Sequence, residues 1–372
     1  MDDSAVVIPP YVSGPLRLEP FRALRLNPAR VGDPASARLY ARPYRGVAAR
    51  LTSWLERGDL VEDAAPALYV HEYTEAGLTV RGVVGALDVS RRATCVEDAA
   101  VLPHEGIHPK QADELADRMQ EMALNPAPIL LLQDYPQAAR DALSAVIERE
   151  PDQAFRDRGD QHHRIWAVHE PSTVAALNTA WQPTRALIAD GHHRYAAYLR
   201  VQARCPGGPA DHGLAMLVDQ GATPLHLGAI HRVLQGVTLD DLRQAAHALD
   251  LPWKDGDREA ALATLDPSTL VVGDGSSWAS VLLPAHARSA VDYLHDTLVP
   301  ALRRGPTRVR HHHSVEDTMR HVRRGRDTAV LLPAPTPTQI WRTVLAGRLL
   351  PEKATSFQPK PHPGVLIRTL RA

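Results

Sequence analysis

Residues 186–203 read Ala-Leu-Ile-Ala-Asp-Gly-His-His-Arg-Tyr-Ala-Ala-Tyr-Leu-Arg-Val-Gln-Ala, a strand pattern followed at once by a helix pattern. Its first four residues form an apolar run that is typical of a short buried strand. From His192 onward the apolar residues recur at helical spacing. The pattern predicts a strand that passes directly into a helix through the turn Asp190-Gly191.

A turn of this kind is suited to binding an anion. Gly191 can adopt backbone conformations that are closed to other residues, and it lets a ligand approach closely. The first N–H groups of a helix have no partner within the helix, and together with the helix dipole they attract negative charge. Arg194 lies in the first turn beside His192 and His193, and its planar guanidinium matches phosphate oxygens. We therefore expect a phosphate-binding loop.

Asp190 has more than one interpretation. At the end of a strand its carboxylate could bind a metal, orient a histidine or act as a base. The structural alternative is that Asp190 only caps the helix and that the two histidines are exposed polar residues. We favour a functional site because Asp, Gly, two His and Arg meet at one junction.

Composition limits the class of protein. A chain of 372 residues exceeds what one hydrophobic core usually supports, so two or three modules are expected. The net charge of -1, without a long basic block, argues against binding nucleic acid through bulk electrostatics. Cys95 and Cys205 are far apart, which fits a reducing compartment. A signal peptide and a membrane-spanning apolar run are not evident, so we expect a soluble cytoplasmic protein.

Strand and helix patterns alternate along the chain, which favours mixed α/β architecture. Apolar periodicity predicts helices over residues 48–57, 110–124, 137–148, 171–181, 239–249 and 337–345. Strand-like runs cover residues 67–73, 78–89, 129–132, 163–168, 213–218, 225–234, 269–272, 329–332 and 365–370. Residues 1–44 are Pro-rich and are expected to form an irregular arm. We predict three modules: residues 1–160, 161–236 and 237–372.

Several common catalytic motifs are absent from the sequence. It contains no GxxxxGK[ST] loop, no GxGxxG after a strand and no GxSxG elbow. The triplet at residues 311–313 is all histidine, but three consecutive residues of a regular element cannot all face one metal ion. A zinc site there is not expected. In the doublet His162-His163, the two side chains should face opposite sides of a strand.

The residues from Ile188 to Tyr195 closely resemble the signature of the bacterial and archaeal DUF1015 family. Further segments resemble that family in the same order along nearly the whole chain: residues 18–25, 54–58, 66–70, 103–105, 109–110, 231–232 and 351–360. The sequence departs from the family where an early Pro-Pro-Tyr-Asp-Val segment is expected and where residues 27–44 look shortened. It also departs after the His-Glu pair, at residues 106–108. A changed acceptor or a loss of activity would each fit these departures.

The family's Asp-Gly-His-His-Arg box is similar to that of free-serine kinases with the ParB/sulfiredoxin-like fold. The resemblance implies a mixed α+β protein with a ParB/sulfiredoxin-like phosphate-binding core and additional α/β modules. It also implies that Gly191, His192, His193 and Arg194 bind nucleotide phosphates, and that a carboxylate deprotonates the acceptor hydroxyl. The implied ligands are ATP or ADP with Mg²⁺.

Other candidate residues come from the remaining boxes. Glu105 is the best candidate for a general base or Mg²⁺ ligand, with Asp190 and His193 as further catalytic candidates; a solvated loop carboxylate is the alternative for Glu105. The nucleotide contacts are expected to include His104, Lys110, Arg232 and Lys360. An ordinary surface lysine is the alternative for Lys110, and a structural ion pair is the alternative for Arg232.

Two classes of function follow. The first is a small-molecule kinase that phosphorylates a hydroxyl of serine or a related metabolite. The second is a nucleotide-binding regulatory or accessory protein of the ParB-like type, without phosphotransfer. A DNA-acting protein of that type should show a helix-turn-helix and a basic surface, and neither is evident, so we rank it lower. Homodimerisation, the acceptor and the choice of nucleotide stay open.

Overall fold

The computed structural model describes residues 6–33 and 47–371. The helices of this part are α1 (Val47–Glu56), α2 (Pro109–Met122), α3 (Gln137–Ile147), α4 (Pro171–Trp181), α5 (His192–Arg204), α6 (Leu239–Ala248), α7 (Arg258–Leu262), α8 (Ala290–Tyr293), α9 (Val315–Arg320) and α10 (Pro337–Leu345). A π-helical turn, Leu294–Leu298, continues α8, and short 3-10 turns lie at Pro28–Arg30 and Pro209–Asp211.

The strands of the first half are β1 (Tyr11–Ser13), β2 (Leu18–Glu19), β3 (Ala23–Leu26), β4 (Leu60–Glu62), β5 (Leu68–Glu75), β6 (Leu78–Asp88), β7 (Arg92–Ala93), β8 (Ala99–Leu102), β9 (Leu124–Asn125), β10 (Ile129–Gln133), β11 (Gln153–Arg156) and β12 (His162–Val168). Those of the second half are β13 (Ala186–Asp190), β14 (His212–Asp219), β15 (His226–Gly228), β16 (His231–Gln235), β17 (Trp253–Gly256), β18 (Thr269–Gly273), β19 (Trp278–Leu282), β20 (Arg308–His312), β21 (Asp327–Leu331), β22 (Ser356–Gln358) and β23 (Ile367–Thr369).

The described residues form two compact units, of which the first comprises residues up to 225 together with the segment from residue 359 onward. Its main sheet has the strand order β11-β12-β5-β6-β14-β10-β13-β8-β1-β7, with β2 paired to β6. The β10–β14 and β13–β8 pairs are parallel, whereas β10 and β13 are antiparallel. A smaller sheet, β4-β3-β23-β9, uses a strand from the returning segment.

The core of the first unit explains why its central strands read as continuous apolar runs. Leu131, Ile188 and Leu217, from three adjacent strands, are almost fully buried. Helices cover the sheet with large side chains, among them the fully buried Trp181 and Tyr195. A strand that is buried on both faces gains from apolar side chains at every position, which removes the alternating pattern.

The second unit, residues 226–358, contains the sheet β17-β19-β18-β21-β16-β20 and the separate pair β15–β22. All strand pairs in this unit are antiparallel. Its apolar interior is built from strand residues such as Val271 and Leu331, packed against Trp278. None of the described helices is both long and apolar enough to cross a bilayer.

The mixed α/β class predicted from the sequence is confirmed, and α4 and α5 begin at the predicted residues. Three details differ. Strand β12 lies in one sheet with β5, so the predicted module boundary after residue 160 falls inside the first unit. Residues 225–234 form two strands in different sheets, not one. The described part of residues 1–44 contains β1, β2 and β3, which are too short to produce a periodic pattern; residues 34–44 lie outside the described range.

Candidate anion-binding site

The junction between β13 and α5 has the predicted strand-turn-helix geometry. Gly191 is the N-cap of α5 and lies in the left-handed region, with φ 95° and ψ 28°. A Cβ atom at this position would lie 2.9 Å from Cγ2 of Ile129 and 3.0 Å from Nη2 of Arg194. Both the dihedral angle and the close packing therefore require glycine here.

The beginning of a second helix meets this turn. Helix α2 starts at Pro109 with His108 as its N-cap. The backbone N–H of His108 donates a hydrogen bond to Nε2 of His193 (3.1 Å), and the two imidazole rings stack with centroids 6.0 Å apart. The N-terminal ends of α2 and α5 thus lie side by side. Both carry partial positive charge, so their fields add for an anion bound between them.

His192 attaches the His104-Glu105 loop to the same turn. Its Nε2 accepts hydrogen bonds from the backbone N–H groups of His104 (3.3 Å) and Glu105 (3.4 Å). The ring of His104 packs edge-on against that of His192, with centroids 4.5 Å apart. Because Nε2 of His192 and Nε2 of His193 both accept N–H groups, neither atom carries a proton in this arrangement. The structure thus brings together the two boxes that the sequence analysis selected.

His104 is completely buried and neutral. Burial lowers its pKa from the ordinary value of 6.5 to about 4, although the carbonyl of Ile188 and the charge of Asp190 act in the opposite direction. Its Nδ1 lies 2.6 Å from the carbonyl oxygen of Ile188, so Nδ1 carries the proton and donates it. The carboxylate of Glu105 lies 3.9 Å from Nε2 of His104. Since that nitrogen is unprotonated, the contact is not an ion pair.

The buried, neutral His104 predicts a pH-dependent stability. The free energy of unfolding should fall as the pH drops from about 6.5 to about 4, because the unfolded chain takes up the proton at the higher pH. The gap between the two pKa values limits the contribution of His104 to about 3 kcal/mol. Urea denaturation across this pH range measures it.

The variant His104→Asn keeps a donor near the Ile188 carbonyl but cannot titrate in this range. Its unfolding free energy should depend less steeply on pH than that of the wild type. Part of the slope should persist, because burial also lowers the pKa of His231 and of His295 to about 4. An unchanged slope would contradict the assignment of His104 as a buried neutral group.

Asp190 lies between two cations. Its Oδ2 accepts a hydrogen bond from Nη2 of Arg194 (2.6 Å), and its Oδ1 pairs with Nζ of Lys360. Burial acts to raise the pKa of Asp190, but the charges of Arg194 and Lys360 outweigh it and the pKa is lowered. An ionised carboxylate with both oxygens engaged is a weak base. The structure therefore favours an ion-pair role for Asp190 over the predicted roles of base and Mg²⁺ ligand.

The Arg194 guanidinium also binds protein. Besides Asp190, it donates from Nη1 to the carbonyl oxygen of Pro128 (2.5 Å), and its side chain is 23% exposed. The Arg194 guanidinium, which was predicted to bind phosphate, is thus held at the turn by hydrogen bonds to Asp190 and to the backbone of Pro128. Two cations share one carboxylate in the group Asp190, Arg194 and Lys360, which leaves an excess of positive charge beside Gly191.

The segment that carries Lys360 is fixed to the first unit by backbone contacts. Tyr73 donates its hydroxyl to the carbonyl oxygen of Pro359 (2.9 Å), and Nε2 of Gln161 donates to the carbonyl oxygen of Lys360 (2.8 Å). The N–H of His362 donates to Oε1 of Gln161 (3.1 Å). Lys360 was predicted only from the family resemblance, and Tyr73 and Gln161 were not identified from the sequence. Tyr73 lies in β5 and Gln161 directly precedes β12, and neither residue belongs to a recognisable motif.

Two predicted nucleotide contacts take other positions. Lys110 is exposed and lies in the first turn of α2. Arg232 lies in the second unit and is fully buried. Its guanidinium donates to the carbonyl oxygens of Ile230 (2.7 Å) and Lys353 (2.9 Å), and Nε donates to His295 (3.2 Å). The structure corrects the prediction for Arg232: the side chain ties together backbone segments.

The predicted Mg²⁺ pair is not gathered into a cluster. Among the described residues, the groups of three or more metal-ligating side chains are Asp157, His163 and His362, and His312, Asp317 and His321. Neither group contains Glu105 or Asp190. Of the 311–313 triplet, His312 belongs to the second group.

A protein-family model matches most of the chain. The family model described as a protein of unknown function (DUF1015) matches residues 16–297. No curated protein matches the chain.

Similar solved structures include SbnI with a C-terminal truncation from Staphylococcus aureus, with 13% identity and a TM-score of 0.44 over 77% of this chain and 87% of that chain. A mutant free serine kinase in complex with ADP also has 13% identity and a TM-score of 0.44, over 78% and 92%. A conserved hypothetical protein from Pyrococcus furiosus has 12% identity and a TM-score of 0.40, over 78% and 95%. The ParB/sulfiredoxin-like core stays a prediction. From the match over residues 16–297, the chain belongs to the DUF1015 family.

Proposed function

We propose that this protein is a nucleotide-dependent phosphotransferase that phosphorylates the hydroxyl of a small metabolite, such as a serine-like free amino acid. The observation that carries the proposal is the convergence of two helix N-termini at Gly191, where His108 of α2 contacts His193 of α5. The order of family boxes, with Asp-Gly-His-His-Arg at this turn, supports the same function.

Phosphate binding is assigned to the backbone at Gly191 and to the positive charges beside it. The backbone can approach a phosphate closely at Gly191 because no side chain intervenes. Lys360, with a side chain 44% exposed, is the accessible cation of the pair on Asp190. Arg194 holds the turn through Asp190 and adds its charge. Lys110 lies in the first turn of α2 and is the further candidate for the nucleotide phosphates.

Mg²⁺ is assigned to Glu105 together with phosphate oxygens of the nucleotide. Mg²⁺ is commonly held by one or two carboxylates plus substrate phosphates, and Glu105 is partly exposed on the loop that His192 fixes. The ion would neutralise charge on the transferring phosphoryl group. Asp190 is left out of this assignment because both of its oxygens are paired.

Enzymes catalyse phosphoryl transfer mainly by positioning the two reactants and stabilising charge, with little covalent catalysis. Glu105 is also the proposed general base: one of its carboxylate oxygens would bind Mg²⁺ and the other would accept the proton of the acceptor hydroxyl, since this side chain is partly exposed on the loop beside the turn. His104 and His192 are proposed to hold the Glu105 loop through their fixed hydrogen bonds, not to transfer protons. His193, predicted as a catalytic residue, is reassigned to positioning α2.

The variant Glu105→Gln tests the catalytic step. We expect the phosphotransfer rate to fall by about 100-fold or more, since general base catalysis contributes about 10²–10⁴-fold. Nucleotide affinity in the absence of Mg²⁺ should change little. Product formation from ATP and a panel of free amino acids, followed by mass spectrometry, gives the rate, and calorimetry gives the affinity. Glu62→Gln, an exposed carboxylate on β4, is the matched control.

A nucleotide-binding regulatory or accessory protein is the second candidate. The pairing of both Asp190 oxygens favours it, because this removes one of the two carboxylates expected to act in phosphotransfer. Tight nucleotide binding without any phosphorylated product across the panel would support this function. Absence of nucleotide binding would exclude both candidates.

A further inference from the structure

A second cluster of polar side chains lies in the first unit, outside the anion-binding site. Asp157 follows β11, His163 lies in β12, and His362 belongs to the returning segment. Each offers one ligand atom, and the three atoms lie within 4.8 Å of one another. The side chains of Asp157 and His163 are completely buried, and that of His362 is 27% exposed. We call these three residues the Asp-His cluster.

The carboxylate of Asp157 is oriented by its own loop. Oδ1 accepts hydrogen bonds from the backbone N–H groups of Gly159 (2.8 Å) and Gln161 (2.9 Å). Oδ2 faces the two imidazoles, at 3.1 Å from Nε2 of His163 and 2.5 Å from Nδ1 of His362. The loop therefore presents one carboxylate oxygen to two nitrogen donors in a fixed direction.

Supporting residues surround the cluster. Nδ1 of His163 lies 3.0 Å from Nε2 of His71, which is fully buried in β5. A histidine that binds a metal through one ring nitrogen usually donates its other N–H to a partner, and His71 is placed to accept it. Gly159 makes room for the His362 ring, since a Cβ atom there would overlap Cε1 of that ring.

The charge balance of the cluster calls for a cation. Within the described part of the chain, the ion-pair partners of Asp157 are His163 and His362, and no Lys or Arg side chain is among them. Each of the two imidazoles in the cluster has a ring nitrogen beside this carboxylate oxygen, and a cation bound there could be coordinated by both nitrogens. A buried carboxylate is costly unless a positive charge compensates it.

We propose that the Asp-His cluster is a metal site for a zinc-type divalent ion. Two imidazoles and one carboxylate form a common three-ligand set for such ions, with bonds of about 2.0–2.2 Å. Tetrahedral bonds of that length place neighbouring ligand atoms about 3.3 Å apart, close to the Asp157–His163 distance of 3.1 Å. The His362 contact has to open from 2.5 Å, which its partly exposed position permits.

The site would fasten the segment that carries Lys360. His362 is two residues from Lys360, and Gln161 already binds the backbone of both. A metal ion on His362 therefore adds a further attachment to the stretch that delivers the lysine to Asp190. The metal site is argued from the cluster alone, and its test uses no nucleotide, so it stands or falls separately from the proposed phosphotransfer.

The test measures metal binding to the full chain after chelation and dialysis. We expect one Zn²⁺ ion to bind per chain at the Asp-His cluster, as measured by elemental analysis. The bound ion should also raise the melting temperature of the protein. Co²⁺ should give visible ligand-field bands when it replaces Zn²⁺. His362→Ala should lose the bands and the thermal shift while keeping its circular-dichroism spectrum, because this side chain is partly exposed. Asp157→Asn is a second variant with the same expected losses, and it can be used if His362→Ala fails to fold.

The control is His321→Ala, which disrupts the other His-Asp group of the described residues. It should keep the Co²⁺ bands and the thermal shift that His362→Ala loses. If the wild type binds neither Zn²⁺ nor Co²⁺, the Asp-His cluster is a hydrogen-bonded network with a protonated histidine, and the proposal fails. It also fails if His362→Ala and Asp157→Asn, when folded, bind Co²⁺ as the wild type does.

Discussion

Replacing Gly191 with alanine is expected to weaken nucleotide binding by about 100-fold or more, equivalent to about 2.7 kcal/mol. The left-handed dihedral angle costs an alanine about 1 kcal/mol. The new Cβ atom would also be 2.9 Å from Ile129 and 3.0 Å from the Arg194 guanidinium. The turn has to shift to relieve these contacts, and the start of α5 shifts with it. Calorimetry with ATP and with ADP measures the loss.

Gly275→Ala separates the effect of the dihedral angle from the effect on the site. Gly275 has φ 92°, nearly the value of Gly191, but a Cβ atom there meets nothing within 4 Å. We expect this control to lose about 1 kcal/mol of stability and none of its affinity for nucleotide. Equal affinities for the wild type and for Gly191→Ala would remove the anion site from this turn.

Replacing Arg232 with alanine is expected to destabilise the second unit by about 3–5 kcal/mol. The side chain is fully buried, and its loss leaves the carbonyl oxygens of Ile230 and Lys353 without their donor. An unsatisfied buried carbonyl costs about 1–3 kcal/mol, and the truncation adds a cavity. Guanidinium chloride denaturation gives the change in unfolding free energy.

Arg288→Ala is the matched control for Arg232, since its exposed ion pair with Asp296 lies in the same unit. An exposed pair contributes about 0–1 kcal/mol, so this variant should unfold close to the wild type. If Arg232→Ala kept its stability and lost nucleotide affinity instead, the prediction that Arg232 contacts the nucleotide would be supported.

The fold was predictable where local pattern and tertiary environment agree. The helix over residues 171–181 and the strand before Gly191 follow from apolar periodicity, an early proline and the Asp-Gly turn. Strands β1, β2 and β3 were not predicted, because strands of two to four residues carry no measurable period and form only when a partner strand is present.

The candidate site was predictable only in part. The Asp-Gly-His-His-Arg box, the His-Glu pair and Lys360 were selected from the sequence, and the structure brings the box into contact with the other two. The sequence could not show which partners each side chain has or how deeply it is buried. The ion pairs on Asp190 and the burial of Arg232 depend on which backbone segments fold over them. The Asp-His cluster joins residues about 200 positions apart and matches no spacing motif.

The return of residues 359–372 to the first unit has a consequence for synthesis of the chain on the ribosome. Residues 226–358 are contiguous, and their two ends pair with each other as β15 and β22, so this part can close before translation finishes. The first unit cannot acquire β23, Lys360 or His362 until residues beyond 358 have been translated. A chain cut short after residue 358 would have one finished unit and one that lacks an interior strand of its smaller sheet and both of these side chains.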